Sequence, residues 1–226
     1  MIIHIAIAKL KFFFEVQFIN VEGFSLILIF TKQISFMHHS RFIQAIEKIL
    51  IPKESVMKEL LAHLESKTYR KGDFLLKADE TCKYFYFIEK GLVKLFFDNG
   101  DKDFIMTFFA ENAFFAELSG FLTGKPSKYM IVALEHTEVL RIHRDIIMEL
   151  CKKYHTAETL FSKLYSKAPV NMMGRISEML EDDGKKRYYN FMKQNPGLIQ
   201  RISLGDLADY IGITQVSLSR IRAQKL

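Results

Sequence analysis

Cysteine is scarce in this sequence, and the isolation of each cysteine excludes several kinds of site. The 226 residues include two cysteines, Cys82 and Cys151, and neither belongs to a CxxC pair or a Cys/His cluster. A structural zinc site and an iron–sulfur cluster therefore have no obvious ligand set. We interpret both thiols as small hydrophobic groups buried in a core, in a reducing cytoplasm.

Motifs of catalysis are missing too. The chain has no phosphate-binding loop, no nucleophile spaced with a base, and no paired carboxylates that would indicate general acid–base chemistry. A metal-dependent jelly-roll enzyme would need a His-x-His strand together with a distant carboxylate and histidine, and the sequence lacks that strand. We therefore predict that the protein is not an enzyme, and we predict no cofactor.

A long apolar run without charges is also absent. The first 36 residues are apolar, aromatic and β-branched, but their longest charge-free stretch is too short to span a bilayer. They lack the basic start and the small-residue cleavage site of a signal peptide. We expect no membrane partner, and we interpret residues 1–36 as an atypical extension outside the native domain, with Met37 as a candidate start. If the extension folds, it forms a hairpin that turns near Asn20 to Gly23.

The net charge of +6 is concentrated at one end of the chain. From Gly184 onward there are eight Lys or Arg against two Asp, whereas the 24 basic and 24 acidic residues of the remainder cancel. Such a basic segment is typical of a surface that neutralises nucleic-acid phosphates.

Short apolar segments with turn signals between them follow Thr68. The turns lie at Lys71-Gly72-Asp73, Gly91, Asn99-Gly100-Asp101 and Gly124-Lys125-Pro126. Strands this short and this regularly spaced predict an antiparallel sandwich or jelly roll, and we assign the many phenylalanines to its core.

A long helical pattern follows from His155 to about Leu180. It has an apolar stripe, and a stripe of this length predicts a partner helix, with packing against its own domain as the alternative. The stripe consists of Leu160, Phe161, Leu164, Tyr165, Ala168, Met172, Ile176 and Leu180. Pro169 lies inside the pattern and should kink or interrupt the helix.

Two short helices are predicted at the end of the chain. Ser203 can cap the first, Gly212 supplies the left-handed residue that ends it, and Thr214 can cap the second. Apolar residues recur at helical spacing on the first helix, and small Ala208 allows the second to cross nearby. This pattern is a helix-turn-helix, whose second helix docks in the major groove.

The second of these helices has one face suited to base edges. If Leu218 and Ile221 face the core, the residues on and beside the opposite face are Gln215, Val216, Ser217, Ser219, Arg220 and Arg222. Arginine reads guanine with two bonds, glutamine reads adenine, and a valine methyl contacts thymine. We predict these six residues as the DNA-binding set, with Ser217 and Ser219 nearer the phosphates.

From about Ile46 to its end, the sequence resembles the Crp/Fnr family of bacterial transcription regulators. The resemblance is carried by Tyr69–Phe74, Phe87–Leu95, Ala116–Phe121 and above all Leu207–Arg222. It implies a sensory jelly roll at residues 37–154, a dimerisation helix at 155–182 and a DNA-binding domain at 183–226. It also implies a homodimer that reads a two-fold symmetric operator and recruits or blocks RNA polymerase.

The sensory part departs from the family members that bind cyclic AMP. Alignment on Glu117 keeps the carboxylate that faces the ribose, but Ala116 replaces the preceding glycine. Ser127 replaces the arginine that grips the phosphate, and Lys128 replaces the next serine. A lysine supplies a point charge without the planar fork of arginine, so we do not expect cyclic AMP to bind. The candidate effector pocket is therefore Glu117, Leu118, Ser127 and Lys128, for a small-molecule effector that the sequence does not identify. Haem on His136, His143 or His155 stays open.

The sequence thus predicts an α+β protein, in which a cyclic-nucleotide-binding-like antiparallel jelly roll precedes a long dimerisation helix and a small helix-turn-helix domain. The predicted function is a dimeric, cytoplasmic regulator of transcription that binds double-stranded DNA. The alternative is a jelly-roll module for a ligand or a protein, whose helix-turn-helix serves interaction rather than DNA binding.

Overall fold

The computed structural model describes residues 17–21, 24–28, 40–100 and 102–224, and it divides into units of residues 1–45 and 46–226. In the first unit, strands β1 (Gln17–Val21) and β2 (Phe24–Leu28) pair antiparallel with Val21 opposite Phe24. This antiparallel pairing agrees with the hairpin interpretation of the segment. Met37 and most of the extension lie outside the described residues. Helix α1 (Ser40–Glu47) crosses the boundary between the units.

The second unit is built on two four-stranded antiparallel sheets, which we call the β-roll. They follow helix α2 (Glu54–Ala62), and their strands are β3 (Glu65–Tyr69), β4 (Phe74–Leu76), β5 (Tyr84–Lys90), β6 (Val93–Asp98), β7 (Asp103–Phe109), β8 (Phe114–Phe115), β9 (Met130–Ala133) and β10 (Thr137–His143). One sheet has the order β3-β10-β5-β8 and the other has β4-β9-β6-β7. The predicted jelly-roll class is confirmed.

Aromatic and β-branched side chains form the core of the β-roll. Phe85, Phe87 and Ile88 of β5 are buried, as are Val139 and Leu140 of β10, which pairs with β5. Burying a side chain of this size stabilises the fold by about 1.5–3 kcal/mol. The assignment of phenylalanines to the core is correct for these strands.

The turn between β5 and β6 requires a glycine. Gly91 has a φ of +106°, and a Cβ there would lie 2.5 Å from Oγ1 of Thr137. Glycine alone permits both the positive φ and this close approach. The amide of Gly91 donates to Oε1 of Glu111 at 2.9 Å, and the buried hydroxyl of Thr137 donates to the carbonyl of Glu135. The turn therefore holds together the segments that carry Glu111 and Glu135.

Helix α5 (His155–Glu181) follows the short helices α3 (Leu118–Thr123) and α4 (Arg144–Lys153). It continues through Pro169, so the predicted interruption is wrong. The proline removes one N–H donor, but the helix has more than three turns on either side, and their hydrogen bonds stabilise it. Pro169 also lies in an exposed stretch of the helix. In the part of the chain that the structure describes, no helix is both long and apolar enough to cross a bilayer.

The apolar stripe of α5 divides into two halves with different surroundings. Leu160, Phe161 and Leu164 are buried within their own chain, so the interpretation of these three as partner-facing is wrong and the alternative applies. Phe161 packs edge-on against Phe85 of β5. Beyond Pro169 the apolar side chains that stay exposed are Val170, Met173, Ile176, Met179 and Leu180.

The last part of the chain consists of α6 (Gly184–Gln194), α7 (Leu204–Ile211) and α8 (Gln215–Ala223). Their shared core is Tyr188, Phe191, Leu207, Ala208, Ile211 and Leu218. The predicted caps are confirmed: Ser203 Oγ accepts from Asp206 N, Thr214 Oγ1 accepts from Ser217 N, and Gly212 has a φ of +77°. We call α7 and α8 with the turn between them the C-terminal helix pair.

Candidate functional site

A cavity of about 300 Å³ lies where the β-roll, α5 and α7 meet. This volume is at the lower end of the range of small-molecule sites. The wall is largely apolar, and its residues are Leu95, Met106, Thr107, Phe109, Ala116, Glu117, Leu118, Ser119, Tyr129, Ala168, Pro169, Asn171, Met172, Arg175 and Tyr210. Of the four predicted effector-pocket residues, the structure places Glu117 and Leu118 in this wall.

Glu117 is buried and acts as the N-cap of α3. Its carboxylate accepts from the backbone amide of Ser119 at 2.9 Å and from that of Gly120 at 2.7 Å. The partial positive charge of a helix N-terminus stabilises a carboxylate in this position. Both oxygens are thus occupied by the helix that Glu117 begins.

Ser127 is buried but does not line the cavity. Its Oγ accepts from the amide of Tyr129 at 3.0 Å, and its own amide donates to the carbonyl of Glu80. The hydroxyl therefore organises the loop that leads into β9.

Lys128 is exposed and also lies outside the cavity wall. Its Nζ lies 4.4 Å from the ring centroid of Phe97 and 5.4 Å from that of Tyr129. Cation–π contacts at an exposed site hold a lysine loosely. The structure thus separates Ser127 and Lys128 from the two predicted residues that line the cavity.

Arg175 supplies the basic side chain of the wall. Its Nη2 donates to the carbonyl of Ile105 in β7 at 3.1 Å and to the carbonyl of Tyr210 in α7. The guanidinium also stacks over the ring of Tyr210, 3.6 Å from its centroid. Local sequence patterns do not reveal this contact, because Tyr210 is 35 residues away from Arg175.

Of the two cysteines, Cys82 is a buried apolar group and Cys151 is half-buried. Cys82 is buried, and desolvation raises the pKa of its thiol to about 11. Burial also raises the pKa of Cys151. In the described part of the chain, no group of three or more His, Cys, Asp or Glu residues is placed to hold a metal ion.

The three histidines considered as haem ligands form local contacts. His136 contacts Glu138, His155 contacts Glu158, and His143 caps α4 and packs edge-on against Tyr84. They lie on different elements, and none of them lines the cavity.

The predicted DNA-contact residues lie on α8, around the part of its surface that Leu218 does not bury. Leu218 is fully buried, whereas Gln215, Val216, Ser219, Arg220 and Arg222 are exposed and Ser217 is half-buried. Val216, an apolar side chain, is 60% exposed. The side chains of α8 thus follow the orientation that the sequence predicts.

Two of these residues also have structural roles. Ser217 Oγ is 2.9 Å from Thr214 Oγ1, so its hydroxyl belongs to the cap of α8. The Gln215 side chain lies over Gly205 of α7, where an added Cβ would be 3.0 Å from Nε2. Gly205 therefore allows the close crossing of the two helices together with Ala208.

The C-terminal helices are attached to the β-roll by Arg201. Its guanidinium forms two bonds with Glu111, both 2.9 Å, and two with Glu135, the shorter 2.6 Å. Burial alone would raise the pKa of Glu111, but the hydrogen bonds from Arg201 and Gly91 outweigh it and lower the pKa to about 2. The two carboxylates in turn raise the pKa of Arg201.

A second attachment runs through Lys94 of β6. Its Nζ is 2.8 Å from Asp103 and 2.8 Å from Asp206, the first-turn acid of α7. Burial would lower the pKa of Lys94, but the hydrogen bonds to the two aspartates prevail and raise it. The neighbouring Phe108 packs against Tyr210, with ring centroids 5.4 Å apart. Sequence analysis missed the contacts of Arg201 and Lys94 between the β-roll and the C-terminal helices, which link residues 66 to 112 positions apart.

Comparison with known proteins finds a family match for the β-roll. Residues 66–154 match the family described as the cyclic nucleotide-binding domain. No curated protein sequence matches the chain closely enough to count as a relative.

Solved structures share the fold over most of the chain. FixK2 from Bradyrhizobium japonicum is similar with a TM-score of 0.63 and 19% identity, covering 71% of this chain and 83% of FixK2. The c-di-GMP responsive global regulator CLP of Xanthomonas campestris has a TM-score of 0.63 and 14% identity, covering 75% and 90% of the two chains. A Crp/Fnr-family transcriptional regulator from Eubacterium rectale has a TM-score of 0.61 and 13% identity, covering 75% and 81%. The predicted resemblance is confirmed at the level of the fold.

Proposed function

Because the chain carries a cyclic nucleotide-binding domain on the fold of the Crp/Fnr transcriptional regulators, we propose that it is a dimeric, sequence-specific DNA-binding regulator of transcription. The main support for the proposal is the exposed face of α8. Polar and basic side chains surround Val216 there, opposite the buried Leu218. The face belongs to the segment that holds the whole excess of positive charge.

The C-terminal helix pair acts as a helix-turn-helix in this proposal. A recognition helix enters the major groove with its N-terminal residues toward the base edges, while the first helix crosses the backbone. Helix α8 begins at Gln215, so Gln215 and Val216 face the bases together with Arg220, and Ser219 lies nearer the phosphates. Arg222 lies in the last turn and suits the phosphates.

The proposed homodimer forms through the second half of α5. Val170, Met173, Ile176 and Leu180 lie on one face at helical spacing, and they are 66%, 70%, 52% and 82% exposed. Water-exposed apolar stripes of this kind mark interaction surfaces. A copy of the same helix packed around a two-fold axis would cover the stripe with itself, which matches a two-fold symmetric operator.

The β-roll serves as the sensory domain, and the cavity is its effector site. Cyclic AMP is not the proposed effector, because Ser127 stands in place of the phosphate-binding arginine and Lys128 lies outside the wall. Through the operator, the dimer recruits or blocks RNA polymerase in the cytoplasm. Whether the dimer recruits or blocks RNA polymerase depends on where the operator lies.

Selection of bound DNA from a random pool tests the proposal. The full chain should enrich one sequence with two-fold symmetry, whose half-sites are centred about 10–10.5 base pairs or a multiple apart. Its affinity should fall steeply as salt rises, because binding releases counterions from the phosphates. Recovery of a pool without any enriched sequence would favour the alternative, a jelly-roll module whose helix pair serves protein interaction.

A further inference from the structure

The cavity wall contains a cation whose charge no carboxylate balances. Arg175 forms no ion pair among the residues that the structure describes, although four acidic side chains nearby in the fold are paired with Arg201 and Lys94. Its contacts are the neutral carbonyls of Ile105 and Tyr210 and the ring of Tyr210. A half-buried guanidinium without a counter-ion favours an anionic ligand.

Part of the hydrogen-bonding capacity of Arg175 is also free. A guanidinium has five N–H donors, and both recorded bonds come from Nη2. Within the described chain, Nε and Nη1 have no acceptor. Each fork of a guanidinium that holds both oxygens of a carboxylate includes Nη2, so a ligand has single charge-assisted hydrogen bonds from Nε or Nη1 available to it.

The rest of the wall excludes a strongly charged or very polar ligand. Its other charged group is Glu117, whose carboxylate is already held by the amides of Ser119 and Gly120. A second negative charge on the ligand would meet that carboxylate and no further cation. The apolar wall, which includes Met106, Phe109 and Met172, suits an aliphatic or aromatic body.

We propose that this cavity binds a small amphipathic monocarboxylate, with its carboxylate on Arg175 and its apolar body against β7, the start of α3 and α5. The ligand replaces no existing bond, since Nη2 keeps the carbonyls of Ile105 and Tyr210. A cyclic nucleotide does not fit this description, because its phosphate would lack the additional donors and its base and ribose would face an apolar wall.

The same contact connects the ligand to DNA binding, and this step rests on the proposed function. Tyr210 belongs to α7 and lines the cavity, and its carbonyl and ring both contact Arg175. A carboxylate on Arg175 therefore changes the charge beside the contact that holds the helix pair to the β-roll. A ligand that binds more tightly to one position of the helix pair raises the population of that position, and by linkage it changes the affinity for the operator.

Ligand binding can be measured without DNA, with matched pairs of probes. The full chain is titrated calorimetrically with straight-chain carboxylates from butanoate to dodecanoate and with the primary amide of each. At least one carboxylate should bind about tenfold or more tightly than its amide, because only the carboxylate pairs with the charge of the guanidinium. If every carboxylate binds no better than its amide, the proposal is overturned.

Three variants locate the site. Arg175→Gln should remove the preference for the carboxylate and keep the affinity for the amide, which also shows that the cavity is intact. Arg175→Lys should keep part of the preference, because it keeps the positive charge but places its donors differently. Met172→Trp should fill the cavity and abolish binding of both probes. Persistence of the preference in Arg175→Gln, or of binding in Met172→Trp, would place the ligand elsewhere and overturn the assignment.

The coupling is tested separately with a selected operator. The best carboxylate should change operator affinity several-fold in the parent protein and leave it unchanged in Arg175→Gln. Binding of the carboxylate without any effect on operator affinity would overturn the coupling through Tyr210 but not the ligand site. Failure to bind any DNA sequence would count against the proposed function alone.

Discussion

At the scale of the residue, Arg220 should contribute most to the recognition of the DNA bases. It is exposed on α8, next but one to the fully buried Leu218. A guanidinium there can hold guanine O6 and N7 with two bonds, so Arg220→Ala should cost about 1–3 kcal/mol of operator binding and relax the preference at one base position per half-site. Fluorescence anisotropy with the selected operator and its single-base variants measures both effects.

The control for this substitution is Lys193→Ala, which removes an exposed cation from the end of α6 instead. It should leave base preference unchanged. An Arg220→Ala protein that binds the operator as tightly and as selectively as the parent would end the assignment of α8 as the recognition helix.

Ser127 and Lys128 give a second prediction at this scale. Neither residue lines the cavity, and no guanidinium occupies the position of the phosphate-binding arginine. Cyclic AMP and cyclic GMP should therefore fail to bind tightly. Calorimetry that gave a micromolar or better dissociation constant for either nucleotide would contradict this prediction.

At the scale of the element, the two halves of α5 should respond differently to charge. Met173 and Ile176 are exposed on the stripe, so Met173→Glu together with Ile176→Glu should yield folded monomers by light scattering, because the charges would face each other across the two-fold axis. Leu160→Glu should instead unfold the domain, since Leu160 is fully buried within its own chain.

The control for the stripe is Ile51→Glu, which changes an apolar residue that is 78% exposed but lies outside α5. By light scattering, this variant should have the same molar mass in solution as the parent protein. A dimer that persists in the double variant would show that the stripe is not the contact.

At the scale of the whole molecule, the bond network of Arg201 should make stability depend on pH. The pKa of Glu111 is about 2 in the folded protein, below its ordinary value of 4.5. A lowered carboxyl pKa adds stability above the unfolded pKa, and this stability is lost as pH falls through the folded pKa. Glu111→Gln should therefore lower the free energy of unfolding at neutral pH, and its difference from the parent should vanish between pH about 4.5 and about 2.

Urea unfolding at a series of pH values measures this difference. Glu149→Gln, an exposed carboxylate on α4, is the matched control and should change stability little at any pH. A Glu111→Gln protein as stable as the parent at pH 7 would mean that the bonds to Arg201 do not stabilise the contact between the β-roll and the C-terminal helices.

The extension gives a further prediction for the whole chain. Deletion of residues 1–36 should leave the melting temperature and operator binding nearly unchanged, because the segment is expected to lie outside the native domain. Residues 46–226 form a compact unit with its own core, which is the structural ground for this expectation. A large loss of melting temperature would show that the strands of the extension complete that core.

The sequence by itself determined the features that depend on near neighbours. The caps at Ser203 and Thr214 join residues three positions apart, and Gly212 ends its helix through its own backbone conformation, so short patterns contain all the information. The orientation of α8 around Leu218 is likewise a property of a single element, because helical spacing shows which side of the helix is buried.

Only the tertiary structure decided what each face packs against. One continuous stripe on α5 predicts a partner, yet Leu164 packs within its own chain while Ile176 stays exposed. The network of Arg201 and the cavity contact of Arg175 with Tyr210 join residues 35 to 90 positions apart. Arginine and glutamate are ordinary surface residues in a sequence, and their pairing energy arises only when folding brings the charges within hydrogen-bond distance and removes water from around them.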